Sequence, residues 1–468
     1  MKKLTLTFAL VIFVSVVYSQ QFSLYNSRTL YDAFENPSQK AFQADSSRKY
    51  AFNFFIPTAS FNGRFSGPAE GNFNRLIYNQ VIDGRDITLG ESQMNTLTAH
   101  TNIYILMLRI FSNVNYNREI GFSWQMRKEG KVNVSNETLA IFDNYALFTE
   151  DQYNDVFNNS GYNQSYNQYS FNYREDYNKR LSLGVKLSLL SGITYNKLDI
   201  DQSQLSIRRD LNEFDVLLRG NFKSNVVDAD LNSGIINPTF RDPGLSVSLG
   251  GSYKFRGGWF LLGNVKDIGF IKWNKASYNY ELNDLIKIDN AQYPDADERL
   301  EDGIDRVLTQ RKGTGQFNSM INGKAEALVN KDFGKYKPNL ILSKNLFYEG
   351  GHAALVNNYH LNDLVVFTAT ADYNMEKYLQ VGGQFMLKSP NIEFFMGSDN
   401  LIKTYQASLS TLSQNADYSK GSSAASVYMG FAMKFGRTME HQANSNFIPG
   451  MNSNHDRQGI FRRLFGKR

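Results

Sequence analysis

The sequence predicts an all-β protein: a closed antiparallel transmembrane β-barrel of about fourteen strands, within a range of roughly 12 to 16, with an N-terminal segment in the lumen or the periplasm. The first observation behind this is the stretch 244–273, two alternating runs joined at Arg256-Gly257-Gly258. Leu245, Val247, Leu249, Gly251, Tyr253 and Phe255 fall on one face of its first arm, and Ser246, Ser248, Gly250, Ser252 and Lys254 on the other. A period of two is a strand, and an apolar face opposite one of Ser, Gly and Lys suits a wall between lipid and an aqueous lumen. The second is composition: 35 Phe and 27 Tyr bring aromatics to 14%, yet only 20% of residues are charged and mean hydropathy is −0.42. The third is that the only long apolar run lies at the extreme N-terminus, so any membrane crossing has to be made by strands.

That run, residues 4–17, follows Met1-Lys2-Lys3 and precedes Tyr18-Ser19-Gln20, the charge, length and small-residue exit of a secretory signal peptide (1–19) cleaved after Ser19. Residues 20–49 lack strand alternation and carry Asn36-Pro37, and are read as a plug-like segment folded into the lumen. The barrel spans 50–436. Its expected strands are 50–61, 101–111, 120–127, 181–189, 214–223, 244–255, 259–273, 317–331, 337–347, 352–361, 364–374, 378–388, 391–400 and 424–435. In the second, Tyr104, Leu106, Leu108 and Ile110 are expected to face lipid and Arg109 the lumen. In the fourth, Leu181, Leu183, Val185, Leu187 and Leu189 alternate with Ser182, Gly184, Lys186 and Ser188.

Turns at 256–258, 334–336, 362–363 and 389–390 are short, whereas connections such as 129–180 and 274–316 are long, matching short periplasmic turns and long extracellular loops. Segment 191–213 is long on the wrong side and breaks this rule. One outer connection is expected to hold a helix, with Asp295 and Glu298 as a capping box, Leu300, Ile304, Val307 and Leu308 on one face, and Gly313 beyond the end. Its six carboxylates, from Asp295 to Asp305, read either as the solvated face of that helix or as oxygen ligands for calcium. The Asn/Tyr-rich run 152–173 reads as a solvated surface loop or a carbohydrate platform.

A net charge of +5 is too small and dispersed to imply nucleic acid, and the absence of cysteine excludes thiol chemistry and a lipidated cysteine. The five histidines are scattered, and no nucleophile elbow, P-loop or dinucleotide fingerprint occurs. No enzyme activity and no cofactor or metal is expected. Arg109, Lys254, Lys388 and Lys434 each fall on the polar face of a strand near a short turn or the end of the barrel, and His360 in the same layer. They are expected to form a lumenal basic collar that either holds an anionic group or pairs with carboxylates of the segment such as Asp32, Glu35 and Asp45. The tail 437–468 carries six basic residues, and Phe461, Leu464 and Phe465 give it a short amphipathic face. It reads as a periplasmic tail, free or docked on a partner or membrane surface.

The runs GNVKDIGFIKW (263–273) and GVKLSLLSGI (184–193) resemble a poorly characterised family of outer-membrane barrels. More distantly the chain is similar to long-chain fatty-acid transporter-like barrels, including some that accompany the type IX secretion apparatus. Asn36-Pro37, where such proteins carry Asn-Pro-Ala, and GSDNL (397–401) support this, with Ser38 departing from the Ala. The resemblance implies a fourteen-stranded bacterial outer-membrane barrel, seated in outer-membrane lipid, with a lumenal N-terminal segment, and points to no substrate. Two functions follow as expectations. One is passage of a small hydrophobic or amphipathic molecule; the other is a scaffold for a secretion or surface-assembly complex, with envelope proteins contacted through the upper loops and the tail.

Overall fold

The computed structural model describes residues 25–41, 48–79, 84–111, 117–225, 238–293, 295–310, 313–375, 378–419 and 423–437. The expected signal peptide and, beyond Arg437, the expected basic tail lie outside the described residues.

The wall has fourteen positions in an antiparallel ring. β1 (Arg48–Phe52) and β2 (Thr58–Ser66) share the first position, and both pair with β3 (Met94–Phe111). Then come β4 (Arg118–Ser135), a three-residue strand β5 (Gln152–Asn154) outside the ring, β6 (Ser160–Asp176) and the 28-residue β7 (Leu181–Arg208). β8 (Glu213–Ser224) also stands outside the ring. β9 (Pro243–Lys254) and β10 (Trp259–Trp273) continue the wall, and β11 (Tyr278–Ile288) leaves it again. β12 (Phe317–Met320) and β13 (Lys324–Lys331) share a position beside β10. β14 (Tyr336–Asn345), β15 (Gly351–His360), β16 (Val365–Asn374), β17 (Tyr378–Lys388), β18 (Ile392–Ser398) and β19 (Ser423–Arg437) follow in order, and β19 closes on β1 and β2.

The expected count of fourteen is met by a different set of strands. β8, expected in the wall, pairs instead with the upper half of β7 and with β11; with β5 they form a sheet standing above the ring. α-helices at Asn136–Ile141 and Ala296–Gln310, the second at the expected place, close a small core there around Phe157, Leu205, Phe214, Ile286 and Leu300. β6, expected as a surface loop, is a wall strand paired along its length with β4 and β7. It was invisible to periodicity because its buried face is Tyr166, Gln168, Ser170, Asn172 and Arg174, so both faces read as polar. With β6 in place, residues 177–180 become a short lower turn, and the irregular 191–213 is the climbing half of β7, to Arg208, with the turn into β8.

Burial is inverted relative to a soluble protein. Leu187, Leu249, Leu342, Leu355 and Phe367 are exposed, while Arg109, Lys186, Lys266 and Lys434 are no more than 3% exposed. Such a surface is stable only against hydrocarbon, with the closed ring satisfying the backbone. Leu187→Arg, at an outward position, is expected to cost about 2–4 kcal/mol in urea unfolding from lipid vesicles. Ser188→Arg, facing the lumen, should cost less.

Two irregularities shape the interior. Between β1 and β2 the backbone leaves the wall, with Phe54 and Phe55 at positive φ; Asn53 restores the lost pairing by donating to Ile56 O and Ile105 O and accepting from Met107 N. Opposite this break β3 carries a bulge between Tyr104 and Leu106. The bulge turns Tyr104 inward, correcting the expectation that it meets lipid, while Leu106, Leu108 and Ile110 keep the outward side and Arg109 the inward.

Candidate functional site in the barrel lumen

The lower lumen is filled by residues 25–41. Thr29 caps the first turn of a short helix, α1 (Leu30–Glu35), by accepting from Asp32 N, and Leu30, Tyr31, Ala33 and Phe34 pack against Met107, Phe111, Met386 and Phe395 of the wall. After the helix the chain turns through Asn36-Pro37 and presses against bare backbone. A Cβ on Gly184 would lie 2.0 Å from Pro37 O, and one on Gly121 2.9 Å from the Phe34 ring. Glycine is required at Gly184 because the segment occupies the space a side chain would take. Asn264 donates to Asn36 Oδ1 at 2.6 Å, and Arg174 donates to Ser38 O at 3.1 Å.

The hub of the floor is Glu35. One carboxylate oxygen accepts from Arg127 at 2.8 Å, Tyr104 OH at 2.8 Å and Asn102 at 3.0 Å; the other meets Lys266 Nζ at 3.2 Å. Three strands, β3, β4 and β10, therefore converge on one side chain of the segment. Lys266 also binds Glu326 at 3.1 Å and the Tyr25 hydroxyl at 3.0 Å, while Arg127 reaches Asp267 at 2.6 Å and Lys186 reaches it at 3.2 Å. Burial alone would raise the Glu35 pKa, but Arg127, Lys266 and Lys186 hold it well below the ordinary range. Asp32, where burial outweighs the hydrogen bonds from Arg28 N and Asn36 and the charge of Lys388, is pushed up to about 6.

Lys266 and Asp267 adjoin in sequence and both face the lumen, which a regular strand forbids. A bulge between Val265 and Ile268, with Asp267 at φ 51°, turns the second charge inward. Neither was singled out from the sequence; the signal was there in the charged pair Lys-Asp interrupting the alternation of 259–273.

The expected collar residues are placed differently from one another. Arg109 is fully buried in an ion pair with Glu119 at 2.6 Å and donates to Ala33 O at 2.6 Å. Lys388 donates to Ser27 O at 2.7 Å, and Lys434 pairs at 3.0 Å with Glu393, whose other oxygen accepts from Leu30 N. All three thus meet either the segment or a wall carboxylate that touches it. Lys254 is exposed at the lower rim and His360 is part-buried there; neither reaches the segment by a direct hydrogen bond among the described residues. Asn36 and Pro37 lie at the Gly184–Asn264 face already described.

Above the floor is a polar cavity of about 120 Å³ lined by Glu35, His100, Asn102, Arg127, Glu129, Lys324, His352 and Tyr378, among others. His352 Nδ1 lies 3.0 Å from Asp372, and His100 Nδ1 lies 3.9 Å from Glu129, whose other oxygen accepts from Asn322 N. Tyr162 stacks on Tyr348 at 4.3 Å over the rim, beside the Lys131–Glu349 pair. Two of the five histidines, His100 and His352, are thus brought to one chamber. Among the described residues no group of three His, Cys, Asp or Glu is arranged to hold a metal ion.

These features define a transmembrane β-barrel with its own N-terminal segment packed in its lower lumen and a charged chamber above. The chain belongs to a family of unknown function, DUF5723, matched over residues 41–399. No curated protein matches it. Among solved structures it is similar to the deltaS2S3 mutant of the monoaromatic hydrocarbon channel TodX, at 8% identity and a TM-score of 0.42 over 90% of this chain and 95% of that one. The Pseudomonas putida toluene transporter TodX gives 7%, 0.37, 90% and 94% in the same order. A Pseudomonas aeruginosa FadL homologue gives 11%, 0.40, 88% and 94%.

Proposed function

We propose that the protein is an outer-membrane barrel that receives a small polar or amphipathic solute in the upper chamber and passes it inward when residues 25–41 leave the floor. The observation that carries this reading is the double position of Glu35: it ties the segment to three strands and also lines the chamber. A solute that offers hydroxyl or ammonium donors to Glu35 competes with the contacts that hold the floor, so binding and opening are coupled through one carboxylate. The lining, with charges of both signs and amide and tyrosine groups, favours an amphipathic or polar solute over a hydrocarbon, since burying an apolar molecule there would leave these groups without partners. Its size, below the 300–1,000 Å³ usual for drug-sized ligands, favours a compact one.

The scaffold reading draws support from the sheet above the ring, which has a core of its own and no evident part in the lumen. Uptake into proteoliposomes separates the two. A monosaccharide and a zwitterionic amino acid should enter faster than they enter protein-free vesicles, and toluene should not be accelerated. Absence of uptake for every polar probe, with envelope proteins co-purifying from gently solubilised membranes, would favour the scaffold.

A further inference from the structure

We propose that the outer wall carries a binding site for one acyl chain of a membrane phospholipid, with the lipid phosphate at Lys344. Unlike the solute reading, this rests on the lipid-facing side of the barrel. In register across five adjacent strands lie Leu183, Gly251, Gly263, Ala327 and Leu342. The rows beside it carry larger side chains, Leu249 and Val265 above and Leu261, Val329 and Leu340 below, except at Ala325 in the upper row, where the groove opens toward Lys344. Where a lipid-facing wall ordinarily presents bulk, this row presents backbone, and the result is a groove of about 690 Å³ whose surface is almost all carbon. A Cβ on Gly263 would meet nothing within 4 Å. Leu183 and Leu342 close its two ends, and the three small residues between them span two strand steps, a gap of about 10 Å, wide enough to seat one acyl chain.

Lys344 fixes the occupant. It pairs in register with Ala325, lines the upper end of the groove beside Met375, and is exposed on the outward face. No carboxylate among the described residues pairs with it. Just above, Leu346 and Phe347 are also exposed, so the Lys344 ammonium springs from within the apolar band and is stable there only by reaching up to a headgroup phosphate. An ammonium at that level, at the end of an apolar trough, matches a phosphate esterified to a chain lying in the trough.

The test uses the full-length protein in vesicles containing a phosphatidylglycerol with a diazirine on its acyl chain, with the crosslinks mapped by peptide mass spectrometry. Label should concentrate on segments 249–265 and 325–344. Filling the trough with Gly263→Leu, where a side chain has free space, should reduce that label about fivefold, and Lys344→Gln about threefold, each a difference of one anchoring contact. Ala327→Leu fills the same trough from another strand and serves if the first variant does not fold, as judged by heat-modifiable gel mobility. Label spread evenly round the wall, or unchanged when the trough is filled, would overturn the site. Equal labelling by a diacylglycerol probe would overturn the role of Lys344.

Discussion

Glu35→Ala should unlatch the floor of the barrel. The substitution leaves Arg127 and Lys266 with one fewer carboxylate each in a buried network, and leaves the Tyr104 hydroxyl and the Asn102 amide without their acceptor. Breaking a buried ion pair by removing one partner costs about 3–5 kcal/mol, and here the loss falls on the docking of the segment, because Asp267 and Glu326 stay in the wall to hold the two cations. The fourteen-position ring should therefore survive with unchanged heat-modifiable mobility, while protease cleavage within residues 25–41 rises by at least tenfold, the factor that about 1.4 kcal/mol gives. Glu35→Gln keeps an acceptor and should be milder. Equal protection in Glu35→Ala and the parent would mean that the apolar contacts of Leu30 and Phe34 hold the segment unaided.

Gly184→Val should expel the same segment by a different force. The new side chain would sit 2.0 Å from Pro37 O and 2.2 Å from Pro37 C, and a backbone held between a helix and the wall has no small movement that restores a normal contact. A β-branched residue suits the strand itself, so the strain is relieved by moving Asn36-Pro37-Ser38 inward, with loss of the Asn264 and Arg174 hydrogen bonds. Gly263→Val, on the outer face with open space before it, is the control and should leave the floor shut. If both variants keep the parent's protease protection, the close approach at Gly184 is not what seats the segment.

What the sequence revealed about this barrel follows from where lipid imposes a pattern. Strands whose outward residues are Leu, Val and Phe, such as 181–189 and 337–347, declare themselves, because hydrocarbon on one side and water on the other force a period of two. β6 escaped because its buried residues are Gln, Asn, Ser and Arg bonded to other lumenal groups, and β8 intruded because a sheet over a small core above the ring alternates in the same way as a wall strand. Tyr104 and Asp267 were misplaced or overlooked for one shared reason: a single extra residue in a bulge reverses the facing of what comes next. The candidate site was half legible. Arg109, Lys388 and Lys434 could be placed inside from strand phase alone, yet the Glu35 hub joins residues up to 231 positions apart, and no local pattern encodes that meeting.

The measurement that bears most directly on the account is the conductance of the barrel in planar bilayers, compared between the parent and a variant lacking residues 20–41. If the N-terminal segment closes the lumen, the parent should be silent or nearly so at low salt, the deletion should give steady open channels, and Glu35→Ala should flicker between the two levels. A deletion variant that inserts, folds and remains as silent as the parent would contradict the account.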